Sequence, residues 1–211
     1  MTLVSVIIPT YNRTDVLCGR ALASVLRQPH QDLDIHIVAD GMEGEELDRL
    51  RSVLEGLHDR RIRMTNIPRQ SYPDDPGQRW CVLGLDARNH GLDMAFGEWI
   101  APLDDDDEWT DDHLDTLLEA VKESDFAYGM SRYHWSGGGD SQLAGRWPPG
   151  MGSFCDGAQL YRNGMGFRYD PACIERGLPE DGDLWTRMYE SQRVRFVFVP
   201  KIVHHYYPNP R

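Results

Sequence analysis

The chain has 211 residues, the size of one domain, and can bury about 70% of the surface its unfolded form exposes. Its 22 basic and 34 acidic side chains leave a net charge of −12, which opposes binding to a nucleic-acid backbone or an anionic membrane. With 40% hydrophobic, 10% aromatic and 27% charged residues the composition is globular and not disordered.

Leu3 to Ile8 is a short apolar, β-branched run closed by Pro9, which predicts a buried strand. Thr14 is placed to cap a helix whose apolar positions Leu17, Ala21, Leu22, Val25 and Leu26 share one face, with Pro29 as its stop. Asp34 to Val38 predicts a second strand leading into the turn pair Asp40-Gly41. Glu45 to Leu57 is amphipathic at helical spacing, and Arg61 to Ile67 predicts a third strand. Gln70 to Gly77 is a Pro- and Asp-rich surface loop, Trp80 to Ala95 a helix, and Trp99 to Leu103 a strand.

The strict alternation ends near residue 125. Phe126 to Tyr133 predicts a strand, and His134 to Gly152 a loop with three consecutive glycines and Pro148-Pro149. A helix from Glu180 to Glu190 and two short strands, Val194 to Val199 and Ile202 to Tyr206, complete the chain. The expected fold is one α/β domain with a mostly parallel sheet flanked by helices.

Cys18, Cys81, Cys155 and Cys173 form no C-x-x-C pair, so zinc-ribbon and dithiol-redox chemistry fail on spacing. No basic and apolar leader opens the chain, and no apolar run approaches the roughly 20 residues that span a bilayer. These features predict a reduced, cytoplasmic protein without a transmembrane segment.

Asp104-Asp105-Asp106-Asp107-Glu108 follows an apolar strand directly and precedes Trp109. Acid runs are usually solvated faces, but in open α/β sheets the carboxyl ends of strands are where ligands sit. Adjacent carboxylates repel unless a cation lies between them, and oxygen-only ligands suit Mg²⁺, Mn²⁺ or Ca²⁺ and disfavour zinc. The spacing is not that of an EF-hand. Both G-x-x-x-x-G-K-[ST] and G-x-G-x-x-G are absent, so a bound diphosphate would depend on the metal and not on a glycine loop.

Four segments in order resemble family 2 glycosyltransferases of the GT-A fold. They are Val4 to Arg13, Ala87 to Leu92 with Ala95 to Ile100, Leu103 to Trp109, and Glu180 to Met188. The resemblance covers nearly the whole chain. It implies a single GT-A-type domain over 1–211, with a Rossmann-like nucleotide-sugar-binding part to about 109 and an acceptor and catalytic part over about 110–211. It further implies that Pro9, Thr10 and Tyr11 line the nucleotide pocket and that Asp40 accepts a hydrogen bond from the base, most often uracil. Asp104, towards the ribose, and Asp106, on Mn²⁺ or Mg²⁺, would form the D-x-D pair, with Asp105 and Arg88 also on the nucleotide-sugar. Asp181 would be the general base, and His204 or His205 would reach the metal or diphosphate. The family often has two acids before the glycine, whereas here Ala39 precedes Asp40.

The activity so implied is inverting transfer of a sugar, UDP-linked by expectation, to the hydroxyl of a small molecule or glycan. Two rivals are a non-catalytic nucleotide-sugar-binding module, which would keep Asp40 and Asp106 and dispense with the base, and a sugar nucleotidyltransferase. The latter needs a glycine-rich basic segment after the first strand, and 12–17 has one Arg and no Gly. The Gly-rich segment Ser136 to Gly152 could cover a donor, with Trp135 and Trp147 as sugar platforms, whereas Trp109 and Trp185 are expected in the core.

Overall fold

The structure, a computed structural model, describes residues 2–135 and 142–208. Ser136 to Ser141, the glycine-rich part of the loop expected to cover a donor, lies outside the described residues.

The first part of the chain is an α/β winding. Strand β1 (Val4–Thr10) pairs in parallel with β2 (Leu33–Asp40), and β2 with β3 (Ile62–Ile67). On its other side β1 pairs in parallel with β4 (Trp99–Pro102). The connecting helices are α1 (14–26), α2 (Gly44–Gly56), α3 (Pro76–Trp80) and α4 (Leu85–Met94). Every residue of β1 and β2 is buried, as expected of strands covered on both faces. Val6 and Ile8 pack with Leu17, Leu22 and Leu50, whereas Ile7 packs on the opposite face with Leu85, Leu92 and Ile100.

The second part closes the sheet. Strand β5 (Glu108–Trp109) and helix α5 (His113–Ala120) precede β6 (Phe126–Tyr133), followed by β7 (Leu143–Ala144) and β8 (Gln159–Arg162). Helix α6 (Glu180–Glu190) and β9 (Phe196–Tyr206) complete the fold. The sheet order is β3-β2-β1-β4-β8-β6-β9-β5, with β7 on β6. β8 runs antiparallel between β4 and β6, while β9 is parallel to β6. The parallel pairs carry most of the register, so the expected mostly parallel α/β sheet is what forms.

Several local expectations change for physical reasons. β1 continues through Pro9 because Leu103 N donates to Ile7 O at 3.0 Å, which sets Ile7 and therefore Pro9 on the β4 side. The β4 pairing ends at Ile7, so the missing N–H of Pro9 breaks no ladder bond. Thr14 does not cap α1; its own N–H is capped by the Glu46 carboxylate of α2 at 3.0 Å. Of the helix expected over 80–95 only α4 (85–94) forms, starting after Gly84 at a left-handed φ of +73°, while Trp80 ends the short α3, which begins inside the stretch expected to be a loop. A Cβ at Gly84 would lie 3.0 Å from Arg88 Nη1 and 3.4 Å from Pro9 Cβ, so the break also lets Arg88 and β1 approach. The two last strands are one, β9, with its register against β6 slipping around Pro200. Trp109 and Trp185 are buried as expected, and all four cysteines are free. Among the described residues no helix is long and apolar enough to cross a membrane.

Candidate active site

The carboxyl ends of β2, β1 and β4 place Asp40, Thr10 and the acid run along one edge of the sheet, in strand order. Above that edge lies a cleft of about 510 Å³. It is lined by Pro9, Thr10, Tyr11, Asp40, Arg88 and the four aspartates 104–107, and also by Asp156, Glu180 and Asp181. Residues separated by most of the chain therefore meet in one cavity.

At the β2 end Asp40 is buried and well supported. It accepts from Gln70 N and from Arg69 Nη1, both at 2.7 Å, and from the hydroxyl of Tyr72. Burial and this contact push the Tyr72 phenol up to about 12. The Arg69 guanidinium also lies 3.5 Å from the ring centroid of Tyr11, which is 42% exposed and forms an open aromatic wall. Arg69 and Tyr72 belong to a stretch whose sequence reads as strand end and loop. Their only advance signal was a basic and an aromatic residue beside an Asp-rich turn.

The acid run divides its labour by side-chain direction. Asp105 is buried, with Thr10 Oγ1 donating to it at 2.7 Å and Arg13 Nη1 at 3.1 Å, so it ties the β1 loop to the β4 loop. Oxygens of Asp104, Asp106 and Asp107 converge within 4.8 Å of one another. Burial, then repulsion from Asp104, Asp107 and Asp105, pushes the Asp106 carboxyl up to about 7, although Arg13 Nη1 lies 2.8 Å away. Such a cluster is short of positive charge.

Neither late histidine joins these three oxygens. His204 is fully buried, with Nε2 at 3.1 Å from Asp107 Oδ2 and Nδ1 at 3.0 Å from Ser131 Oγ. Burial opposes charge on this imidazole, but Asp107 outweighs it and pushes the ring up to about 10. His204 therefore braces Asp107 from behind. His205 sits with Nδ1 at 2.8 Å from His134 Nε2.

Arg88 is the hub of the remaining charges. It is buried, contacts Asp104, and lies 3.4 Å from Asp156 and 3.7 Å from Glu180. One guanidinium thus links the strand-edge acids to the start of α6. Asp156 was not singled out from the sequence, where an isolated Asp-Gly reads as a turn. It is 3% exposed, and burial pushes it up to about 7 while Arg88 pulls the other way. Its Oδ2 and Arg88 Nε are left without hydrogen bonds among the described residues.

The first turn of α6 presents three acids with different surroundings. Asp183 is fully buried and turned away from the cleft, held by Arg176 and by Arg187 Nε at 2.7 Å. Glu180 is buried, which raises its carboxyl well above the usual range despite Arg88. Asp181 is half-buried and lines the cleft. Burial pushes it up to about 6, moderated by Arg88. A carboxylate poised there can accept a proton near neutral pH.

The profile of glycosyl transferase family 2 matches residues 5–72 and 84–174. The chain belongs to this family. It is 35% identical over 123 residues to a GalNAc(5)-diNAcBac-PP-undecaprenol beta-1,3-glucosyltransferase of Campylobacter jejuni, covering 58% of this chain and 36% of that protein. The chain thus spans about a third of that relative's length. Among solved structures, S. aureus TarS 1–349 in complex with UDP-GlcNAc superposes with a TM-score of 0.68 at 17% identity, over all of this chain and 60% of that one. Mannosyltransferase PcManGT from Pyrobaculum calidifontis, in complex with GDP-Man and Mn²⁺, gives 0.60 at 14% identity, over 96% of this chain and 56% of that one. These likenesses establish the GT-A-like fold of this family member.

Proposed function

We propose that this chain transfers a sugar from a UDP-linked donor to an acceptor hydroxyl, by a single displacement that inverts the anomeric carbon. The observation that carries this reading is the convergence of Asp40, the 104–107 acids and Asp181 in one cleft at the strand carboxyl ends. The UDP-GlcNAc bound by the TarS structure of the same fold supports a UDP-linked donor.

In this account residues 1–109 hold the donor. Asp40 accepts the ring N–H of the base, and Pro9, Thr10 and Tyr11 form the wall on which the base packs. Asp104 lies towards the ribose, with Arg88 fixing its side chain. Residues 110–211 complete the catalytic half. Asp181 takes the proton of the acceptor hydroxyl as its oxygen attacks the anomeric carbon and the nucleoside diphosphate leaves.

Asp104, Asp106 and Asp107 would hold Mn²⁺ or Mg²⁺, with His204 bracing Asp107. Their fit to a hard divalent cation rests on an all-oxygen donor set and on the charge deficit at Asp106. When bound, such a cation neutralises charge developing on the departing diphosphate. Four free thiols support a cytoplasmic setting.

The reading is tested by thermal melting with nucleoside diphosphates. UDP at about 100 times its Kd, with Mn²⁺, adds about 2.7 kcal/mol to the folded state, or about 5–10 °C in Tm for a domain of this size. The shift should shrink without the metal and with GDP or ADP. No shift with any nucleoside diphosphate, with or without Mn²⁺, would overturn the donor assignment.

A further inference from the structure

Residues 73–83 fall between the two stretches that match the family profile, yet they form part of the cleft wall. This segment is firmly built. Asp75 Oδ1 caps α3 by accepting from Gln78 N at 2.8 Å, and Val82 is buried in the core cluster that contains Leu85 and Trp185. Cys81 O accepts both Glu180 N at 2.8 Å and Cys173 Sγ at 3.3 Å. Val82 O accepts Gln70 Nε2 at 3.0 Å. The segment is therefore docked on the N-terminus of α6, one residue from Asp181.

This anchoring leaves two large apolar side chains uncovered at the cleft. Trp80 is 56% and Leu83 46% exposed, and both line it together with Met151 and Pro179. A rigid segment that buries Val82 while exposing its Trp to a cavity offers a flat surface beside the base.

From this juxtaposition we propose that Trp80 is a stacking platform for a pyranose ring of a neutral saccharide acceptor, placed so that an acceptor hydroxyl reaches Asp181. The inference rests on the transferase reading above, because it takes Asp181 as the base. Three features select this occupant. A pyranose presents apolar C–H faces that suit an indole, and hydroxyl donors that suit the carboxylates around it. The cleft holds the acids 104–107, Asp156 and Asp181 against few cations, which disfavours an anionic acceptor. The donor is placed along the strand edge, whereas this segment touches the helix that carries the base, so its wall flanks the incoming hydroxyl.

The test uses saturation-transfer NMR and titration with a panel of methyl glycosides of glucose, galactose, mannose, N-acetylglucosamine and N-acetylgalactosamine. Each is added to the full chain saturated with UDP and Mn²⁺. At least one should bind the wild type, and Trp80→Ala should weaken that binding about tenfold. Trp80→Phe should restore most of it, since a ring face is what the contact needs. UDP affinity of Trp80→Ala, measured by calorimetry with Mn²⁺, should stay within about twofold of wild type because the nucleotide contacts are elsewhere. Equal weakening of UDP and glycoside would place Trp80 on the donor and overturn the assignment. So would glycoside binding that Trp80→Ala leaves unchanged, or a UDP-loaded wild type that binds no member of the panel. Failure of UDP itself to bind the wild type would instead strike the donor reading, and the acceptor wall with it.

Discussion

Asp106→Asn is expected to lower Mn²⁺-dependent UDP affinity on the order of 10²-fold, because it removes a charged oxygen from a three-carboxylate cluster. The substitution keeps the side-chain shape and removes the charge that burial and three neighbouring aspartates already make costly. In the metal-free protein the same change relieves repulsion from three aspartates but gives up the Arg13 contact, so Asp106→Asn should melt close to the wild type. That opposite pattern, weaker ligand binding without loss of stability, separates a metal ligand from a structural acid. Asp105→Asn is the contrasting variant. Its oxygens are engaged by Thr10 and Arg13, so its loss should loosen the β1 and β4 loops and cost stability, about 1–3 kcal/mol, before it affects the cation. Calorimetry showing unchanged Mn²⁺–UDP affinity in Asp106→Asn, or a larger affinity loss in Asp105→Asn, would move the ligand position within the run.

Asp181→Asn is expected to cut sugar transfer by about 10²-fold or more while UDP binding stays nearly intact. The amide is nearly isosteric and cannot take the acceptor proton, and the nucleotide contacts lie at the strand edge. The pH dependence carries the same assignment. Burial pushes Asp181 up to about 6, and a base works only when ionised. Transfer should therefore rise with pH through about 6 and level off above it, and Asp181→Asn should lack that rise. Two neighbours serve as controls. Glu180→Gln should keep most activity, since burial already favours the uncharged acid at that position. Asp183→Asn should lose about 1–3 kcal/mol of stability and retain transfer per folded molecule, because its carboxylate is committed to Arg176 and Arg187. An inactive Asp183→Asn beside an active Asp181→Asn would place the base one helix face away.

The winding of β1 to β4 was legible because each element is local. Buried parallel strands are short apolar runs, and α1 and α2 show helical spacing over more than two turns. The second half was less so, since β7 and β8 are short antiparallel strands and β8 pairs with β4 and β6, both distant from it in sequence. Nothing in Gln159 to Arg162 announces that it enters the sheet between β4 and β6. The acid run and the Glu180-Asp181 pair were visible as motifs, but their internal division of labour was not. Which of Asp105, Asp106 and Asp107 faces outward depends on Thr10, Arg13 and His204, which the fold brings from elsewhere. Asp156 and Arg69 escaped notice for the same reason: each is an ordinary loop residue until tertiary structure sets it against Arg88 or Tyr11. The tryptophans show both outcomes. Trp109 and Trp185 are core as expected. Trp135 and Trp147 are exposed but do not line the cleft, whereas Trp80, read only as part of a helix, does.

The most direct measurement is release of UDP from a panel of UDP-sugars incubated with the wild type in water, with Mn²⁺ and with a chelator in its place. Water can replace the acceptor hydroxyl, so the assay needs no knowledge of the natural acceptor. The account predicts slow release from at least one donor that depends on added metal and disappears in Asp181→Asn. Tight donor binding with no release from any member of the panel would contradict it and identify a binding module instead.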